Sequence, residues 1–197
     1  MRLILVRHGQ PDEAHHERPG DPPLTDLGHA QSQAVGAFLA REGVTHVVSS
    51  PMLRARQTAE PLARQLAMQM HVFDGWAEVD QGTERYRSID TIRAQGEVEW
   101  ARFLDDPIGY FGVDPVVFRA GIRQAMASSM ALAPSGVVAV FTHGMVINTL
   151  LSTALGLSKV SRFGIGHGSV TRLAAPSIDA IGVLSVNELG HQPTQTR

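Results

Sequence analysis

Four side chains stand at places in the chain where chemistry is concentrated. Arg7 and His8 end the apolar run Leu3 to Val6, and His143 ends Val-Val-Ala-Val-Phe. Arg54 lies one turn into the segment that follows Ser49-Ser50-Pro51. Guanidinium forks match phosphate oxygens in pairs, and a neutral imidazole can attack phosphorus or pass a proton. Two of each fit a phosphoryl group. Taken singly, each residue has a plainer reading. A His-Gly at a strand end is commonly a partly buried histidine bonded to a carbonyl, and Arg54 in Leu-Arg-Ala-Arg-Gln-Thr reads as a solvated helix face paired with Glu60. The joint arrangement carries more weight: two strand-to-helix junctions that each end in His-Gly, with an arginine motif between them.

For these side chains to meet, the elements carrying them must share one rim. Leu3 to Val6 and Val137 to Phe141 are short unbroken apolar runs, the pattern of strands buried on both faces. Thr25 is placed to cap a helix whose apolar positions, Leu27 through Leu39, keep helical spacing until Gly43. Val47 and Val48 predict a second strand, and Ser49-Ser50-Pro51 a second helix with serine as cap and proline in its first turn. Met70 to Phe73 is a third short strand. From Asp74 to Leu132 the pattern loosens, with helices expected over Arg87 to Leu104 and Pro115 to Leu132. A helix from Met145 to Leu155 follows, then strands within Gly164 to Leu173 and Ala180 to Val186, and a polar, frayed tail from Gly190.

Strands alternating with helices predict an α/β protein, a three-layer sandwich with a mostly parallel central sheet. Ligands of such sheets sit outside the carboxyl ends of the strands. That is where Arg7, His8 and His143 fall, beside helix N-termini that also attract anions. The chain reads as one domain over 1–197, with 74–132 an inserted helical lid over the strand ends.

Leu-Val-Arg-His-Gly, Pro-Leu-Thr-Asp-Leu-Gly-His-Ala-Gln, Ser-Ser-Pro-Met-Leu-Arg-Ala-Arg-Gln-Thr-Ala and Phe-Thr-His-Gly together resemble the histidine phosphatase superfamily, the phosphoglycerate-mutase-like proteins. The four motifs stand in that family's order from Leu3 to about Leu155. The resemblance implies that His8 is a nucleophile that becomes phosphorylated, and that Arg7, Arg54 and His143 hold the phosphoryl oxygens. Gln10 and Gly144 complete the expected substrate-binding set. It also implies a glutamate proton donor after the third strand, aligned here with Glu78 in Trp-Ala-Glu-Val-Asp-Gln-Gly; Asp80 and Glu84 are the alternative acids. Desolvation would raise the Glu78 pKa while Arg7 and Arg54 lower it.

The chain departs from the family pattern in two places. Gln10-Pro11-Asp12 stands where Glu-Thr is common, and Pro11 removes a backbone donor. Thr83-Glu84-Arg85 replaces a frequent Trp-Glu-Gly. Thr25 reads as a helix cap, His167-Gly168 as a turn, and His15-His16 as solvated histidines rather than a metal site.

Composition excludes several classes. Seventeen Lys+Arg against nineteen Asp+Glu give a net charge of −2, with Lys159 the only lysine and no basic stripe, so a nucleic-acid partner is not expected. The apolar runs are too short to span a bilayer and too early interrupted for a signal peptide, which predicts a cytoplasmic protein with no membrane partner. With no cysteine there is neither a thiolate metal site nor a cysteine nucleophile, and the chemistry implied needs no metal or cofactor. The expected activity is hydrolysis of a small phosphomonoester. Mutase-type phosphoryl transfer and a catalytically silent relative that binds phosphorylated ligands are the alternatives.

Overall fold

The computed structural model describes residues 1–160 and 163–192. Along the chain run β1 (Arg2–Arg7), α1 (Asp26–Leu39), β2 (His46–Ser49), α2 (Leu53–Gln65), β3 (Met70–Val72), α3 (Ile89–Ala94) and α4 (Glu97–Asp105). Then follow α5 (Pro115–Leu132), β4 (Val137–Thr142), α6 (Gly144–Ala154), β5 (Val170–Ser177) and β6 (Ala180–Glu188). The strands form one sheet in the order β3-β2-β4-β1-β5-β6. The first four are mutually parallel, whereas β5 runs antiparallel to β1 and closes a hairpin with β6. The α/β sandwich expected from the sequence is therefore present, its mixed sheet parallel over four of six strands.

The period of two along β1 explains the layers. Leu3 and Leu5 face a cluster built with Ile122 and Met126 of α5 and Val146, Ile147 and Leu151 of α6. Ile4 and Val6 face the opposite way, against Val35 and Leu39 of α1 and Ala59 and Leu62 of α2. A strand with apolar residues on both faces needs helices on both faces, which makes three layers. Each such side chain contributes about 1.5–3 kcal/mol when fully buried.

Helix packing solves one local problem. Pro61 lies inside α2 and has no N–H for the carbonyl four residues back. Ser32 of α1 supplies the missing donor, its hydroxyl lying 3.1 Å from the carbonyls of both Gln57 and Thr58. Thr25 caps α1 as expected, accepting from the Gly28 N–H at 3.0 Å.

Several local expectations are corrected. α2 starts at Leu53, two residues beyond Pro51, and Met52 stands at its cap without a side-chain bond. Its Leu53 N–H donates instead to the Asp21 carboxylate. The helix expected over Arg87 to Leu104 is two, because Gly96 adopts φ +108° between them, a conformation open chiefly to glycine. Residues 164–169 form no strand, and β5 begins only at Val170. Gly190 to Gln192 are fastened rather than frayed, since His191 stacks on Phe38 at 4.9 Å and the Gln192 amide donates to the Gly168 carbonyl. The remainder of the tail, 193–197, lies outside the described residues.

Candidate active site

The order of strands brings the two His-Gly junctions together. β1 and β4 are neighbours in register, Arg7 opposite Thr142, and the His8 N–H donates to the Thr142 carbonyl at 2.9 Å. β2 lies on the far side of β4, and the Ser50 N–H donates to the Phe141 carbonyl. Arg7, His8, Ser50 and His143 therefore leave three adjacent strand ends on the same edge. The His8 and His143 ring centroids are 5.1 Å apart.

His8 is buried, and its Nδ1 lies 2.7 Å from the Gly9 carbonyl oxygen. A carbonyl only accepts, so Nδ1 carries the proton and Nε2 keeps its lone pair. Burial, then the charges of Arg54, His143, Arg7 and His167, hold the His8 pKa well below its ordinary value, so the ring is neutral near pH 7. Burial, then the charges of Arg54 and Arg7, hold His143 well below its ordinary value. Close backbone packing fixes the His8 loop. The Gly9 N–H donates to Thr58 Oγ1 at 2.9 Å, and that hydroxyl donates to the Arg54 carbonyl. Gly28 lies so close that a Cβ there would stand 2.2 Å from the Gln10 carbonyl oxygen.

Arg54 is fully buried. Its Nη2 donates to Asp80 Oδ1 at 2.8 Å, its guanidinium carbon lies 4.7 Å from the Tyr86 ring centroid, and Nη1 is 3.5 Å from Asp21. Neither Nε nor Nη1 has a hydrogen-bond partner among the described residues. Arg7 donates through Nη1 to the Ile165 carbonyl, leaving its buried Nε unpartnered among the described residues. Buried N–H groups without partners are uncommon, and here they cluster around two imidazoles. The pairing of Arg54 with Glu60 does not occur, since Glu60 faces Arg64.

Glu78 is positioned by Trp76. The Trp76 indole is buried, its Nε1 donating to Ser129 of α5 and its carbonyl accepting from Thr142 at 2.7 Å. Gly75 beside it abuts Gly121 of α5 so tightly that a Cβ would lie 2.0 Å from the Gly121 oxygen. The Glu78 carboxyl accepts from the Val79 N–H at 3.1 Å and from the Met145 N–H, in the first turn of α6, at 2.9 Å. Burial and the neighbouring Asp80 charge outweigh those bonds and Arg54, raising the Glu78 pKa from 4.5 to about 7. Of the alternative acids, Asp80 is committed to Arg54 and Glu84 is exposed.

Arg7, His8, Glu78 and Gly144 line a cleft of about 50 Å³ together with Val79, Asp80, Tyr86, Arg87, Ile89, Phe111 and Met145. The larger groove, about 570 Å³, lies between residues 72–81 and α5 and meets the cleft at Glu78 and Val79. Three expected contacts do not line this cleft: Arg54 and His143, both fully buried next to residues that do, and Gln10. Gln10 Oε1 accepts from Thr25, and Gln10 lines a separate pocket with Gln31 and His167. The sequence reading missed Ser50, Asp80 as the partner of Arg54, and His167, whose ring centroid lies 5.4 Å from that of His8. Ser50 Oγ lies 2.8 Å from His143 Nε2 and accepts from the Met52 N–H. No group of three or more acidic or histidine side chains suited to a metal ion occurs among the described residues. No helix among them is long and apolar enough to cross a membrane.

A family model of the histidine phosphatase superfamily (branch 1) matches residues 3–180. A "Probable phosphoglycerate mutase" of Proteus mirabilis is 32% identical over 182 residues, covering 88% of this chain and 84% of that protein. Two solved structures share the fold. A mycobacterial glucosyl-3-phosphoglycerate phosphatase superposes with a TM-score of 0.78 at 24% identity, covering 94% of this chain and 98% of its own. A phosphoserine phosphatase of Entamoeba histolytica, solved with 3-phosphoglyceric acid, superposes with a TM-score of 0.74 at 22% identity, covering 96% and 98%.

Proposed function

Because the chain belongs to the histidine phosphatase superfamily, we propose that it is a metal-independent phosphatase that hydrolyses a small phosphomonoester through a phosphohistidine on His8. The observation carrying this reading is the buried, neutral His8. Its Nδ1 proton is anchored on Gly9, and its free Nε2 belongs to a cluster holding unpartnered guanidinium N–H groups.

The steps follow from the donors available. Arg7 and Arg54 bind the phosphoryl oxygens, and their fixed positive charge offsets the negative charge that spreads over those oxygens during transfer. Ser50, which already accepts from Met52, donates its hydroxyl proton to His143 Nε2. That leaves the His143 proton on the unpartnered Nδ1, available to a phosphoryl oxygen. His8 Nε2 attacks phosphorus, the ester P–O bond breaks, and Glu78 protonates the departing alkoxide. The resulting Glu78 carboxylate takes a proton from water, which attacks the phosphohistidine and releases phosphate with His8 restored. Arg7, His8 and Gly144 take the phosphoryl end of the cleft. The alcohol therefore meets the rim of Val79, Arg87, Ile89 and Phe111, where segment 74–132 acts as a lid that sets selectivity.

Hydrolysis of p-nitrophenyl phosphate in excess chelator tests the reading. The wild-type protein should turn over, and His8→Ala should lose at least about a thousandfold. No turnover across a panel of phosphomonoesters would leave a silent phospho-ligand binder instead. The name of the Proteus relative favours a second reading, transfer of the phosphoryl group to another hydroxyl. Incubation with a phosphoglycerate separates the two, because a phosphatase releases inorganic phosphate and a mutase yields a positional isomer without release.

A further inference from the structure

We infer that His167 is a further substrate-contacting residue, its Nε2–H donating to an oxygen of the phosphoryl group carried by His8. The inference rests on the phosphatase reading above and adds to it a third imidazole outside the four motifs.

The geometry around His8 is nearly symmetrical. Its ring is flanked by His143 at 5.1 Å with a 56° tilt and by His167 at 5.4 Å with a 44° tilt. His167 is held there by backbone rather than by its own side chain. The Gly168 N–H lies within 3.1 Å of the carbonyls of both Arg7 and His8, and the Ser169 N–H closes the turn on Gly166. The Arg7 guanidinium donates to Ile165 on the same turn. Gly168 has φ +66°, and a Cβ there would lie 2.5 Å from the Gln192 amide, so the turn has little freedom to move. Side chain 167 and side chain 8 are thus mounted on one hydrogen-bonded frame.

The ring's polar atoms point to a ligand. Nε2 is buried and has no partner among the described residues. If the ring served only to pack against His8, that nitrogen would be a buried polar atom left unsatisfied, which is costly and uncommon. Burial, then Arg7 and Arg54, hold the His167 pKa down to about 3, so the ring is neutral in the working range and carries one proton. Phosphoryl oxygens only accept, which requires that proton on Nε2. Nδ1 is then an acceptor, on a ring that also borders the pocket of Gln10, Gln31 and Gln192. The His167 proton stays in place through the reaction. The bond made is His8 Nε2 to phosphorus, the bond broken is the ester P–O, and the proton transferred comes from Glu78.

Orthovanadate, whose adduct on a nucleophile resembles the five-coordinate transition state, is the probe. His167→Phe keeps the ring and removes the donor. It should weaken vanadate binding and lower kcat/KM for p-nitrophenyl phosphate by a common factor of roughly ten to a hundred, the scale of one hydrogen bond to a charged group. His167→Asn, which restores an N–H, should recover most of both. A role confined to packing would instead lower Tm and leave vanadate affinity unchanged. Vanadate affinity equal to wild type in the phenylalanine variant, or no recovery with asparagine, would overturn the inference. In the unaltered protein, the imidazole 15N spectrum should show a proton on His167 Nε2 and a shift of that resonance on adding vanadate; an unmoved resonance overturns it without any variant. Binding is read whether or not the protein turns over. A protein that hydrolyses nothing refutes the phosphatase reading, whereas indifference of vanadate to His167 refutes this one.

Discussion

Replacing Glu78 with glutamine should change stability and rate differently with pH, and both effects can be worked out from the carboxyl's surroundings. Burial, helped by Asp80, raises the Glu78 pKa from 4.5 to about 7 in the folded chain. Between those values the folded protein retains a proton that the unfolded chain has released. Stability therefore falls as pH climbs through that window and stays lower above it. A shift of that size corresponds to about 3 kcal/mol at most. One edge of the carboxyl opens to the cleft, so about 2 kcal/mol is the working figure. Glutamine has no such proton to lose. It does present one acceptor where the carboxyl faces two backbone N–H groups, those of Val79 and Met145, at a cost of about 1 kcal/mol. Glu78→Gln should thus be about 1 kcal/mol less stable than wild type near pH 4 and about 1 kcal/mol more stable near pH 9. Urea unfolding at the two pH values reads the crossover. Activity adds a second measure. Wild-type kcat/KM for an alkyl phosphate should decline above about pH 7 as the acid ionises, and the variant should lose that limb and about 10²–10⁴ in rate. On p-nitrophenyl phosphate, whose departing phenolate hardly needs a proton, the loss should be much smaller. A stability difference that is the same at both pH values, or equal losses on the two substrates, would refute this account of Glu78.

Two further substitutions probe the frame around the site. Asp80→Ala removes the carboxylate that pairs with the fully buried Arg54 and should cost about 3 kcal/mol in chemical unfolding, the lower end for a broken buried pair because Asp21 remains nearby. The milder Asp80→Asn also removes a charge that raises the Glu78 pKa, so the alkaline limb of the pH–rate profile should move to lower pH. Gly28→Ala would gain about 1 kcal/mol from helix propensity alone. Its Cβ would lie 2.2 Å from the Gln10 backbone oxygen, so a net loss of about 1–3 kcal/mol and a lower kcat are expected, and a rise in Tm would disprove the close-packing argument.

The parts of this molecule legible in its sequence are those with local causes. β1 and β4 show as unbroken apolar runs because both of their faces are covered, and Thr25 caps α1 through a bond spanning three residues. What could not be read depends on partners far along the chain. Ser50 resembles a helix cap next to Pro51, yet its hydroxyl is engaged with His143, 93 positions away, and α2 starts later in consequence. Asp80 reaches Arg54 across 26 positions. His167 reads as a turn residue, which it is. Its place beside His8 follows from the antiparallel pairing of Val170 with Val6, and no periodicity in Gly164 to Ser169 signals that. The Asp74 to Leu132 stretch was coarse for a different reason. Gly96 interrupts a helical pattern whose apolar spacing continues on both sides, so the break is visible only as backbone conformation.

The fastening of Trp76 between Ser129 and Thr142, with Gly75 seated on Gly121, has a consequence for engineering. The proposed acid is anchored at the root of the excursion, ahead of the residues that form the rim. Libraries confined to residues 87–112, which spare Tyr86 against Arg54, should therefore diversify what the departing alcohol is proposed to encounter while Glu78 keeps its register against α6. Grafts exchanged at those boundaries between relatives should carry substrate preference with them and leave the proposed phosphoryl-binding residues in place.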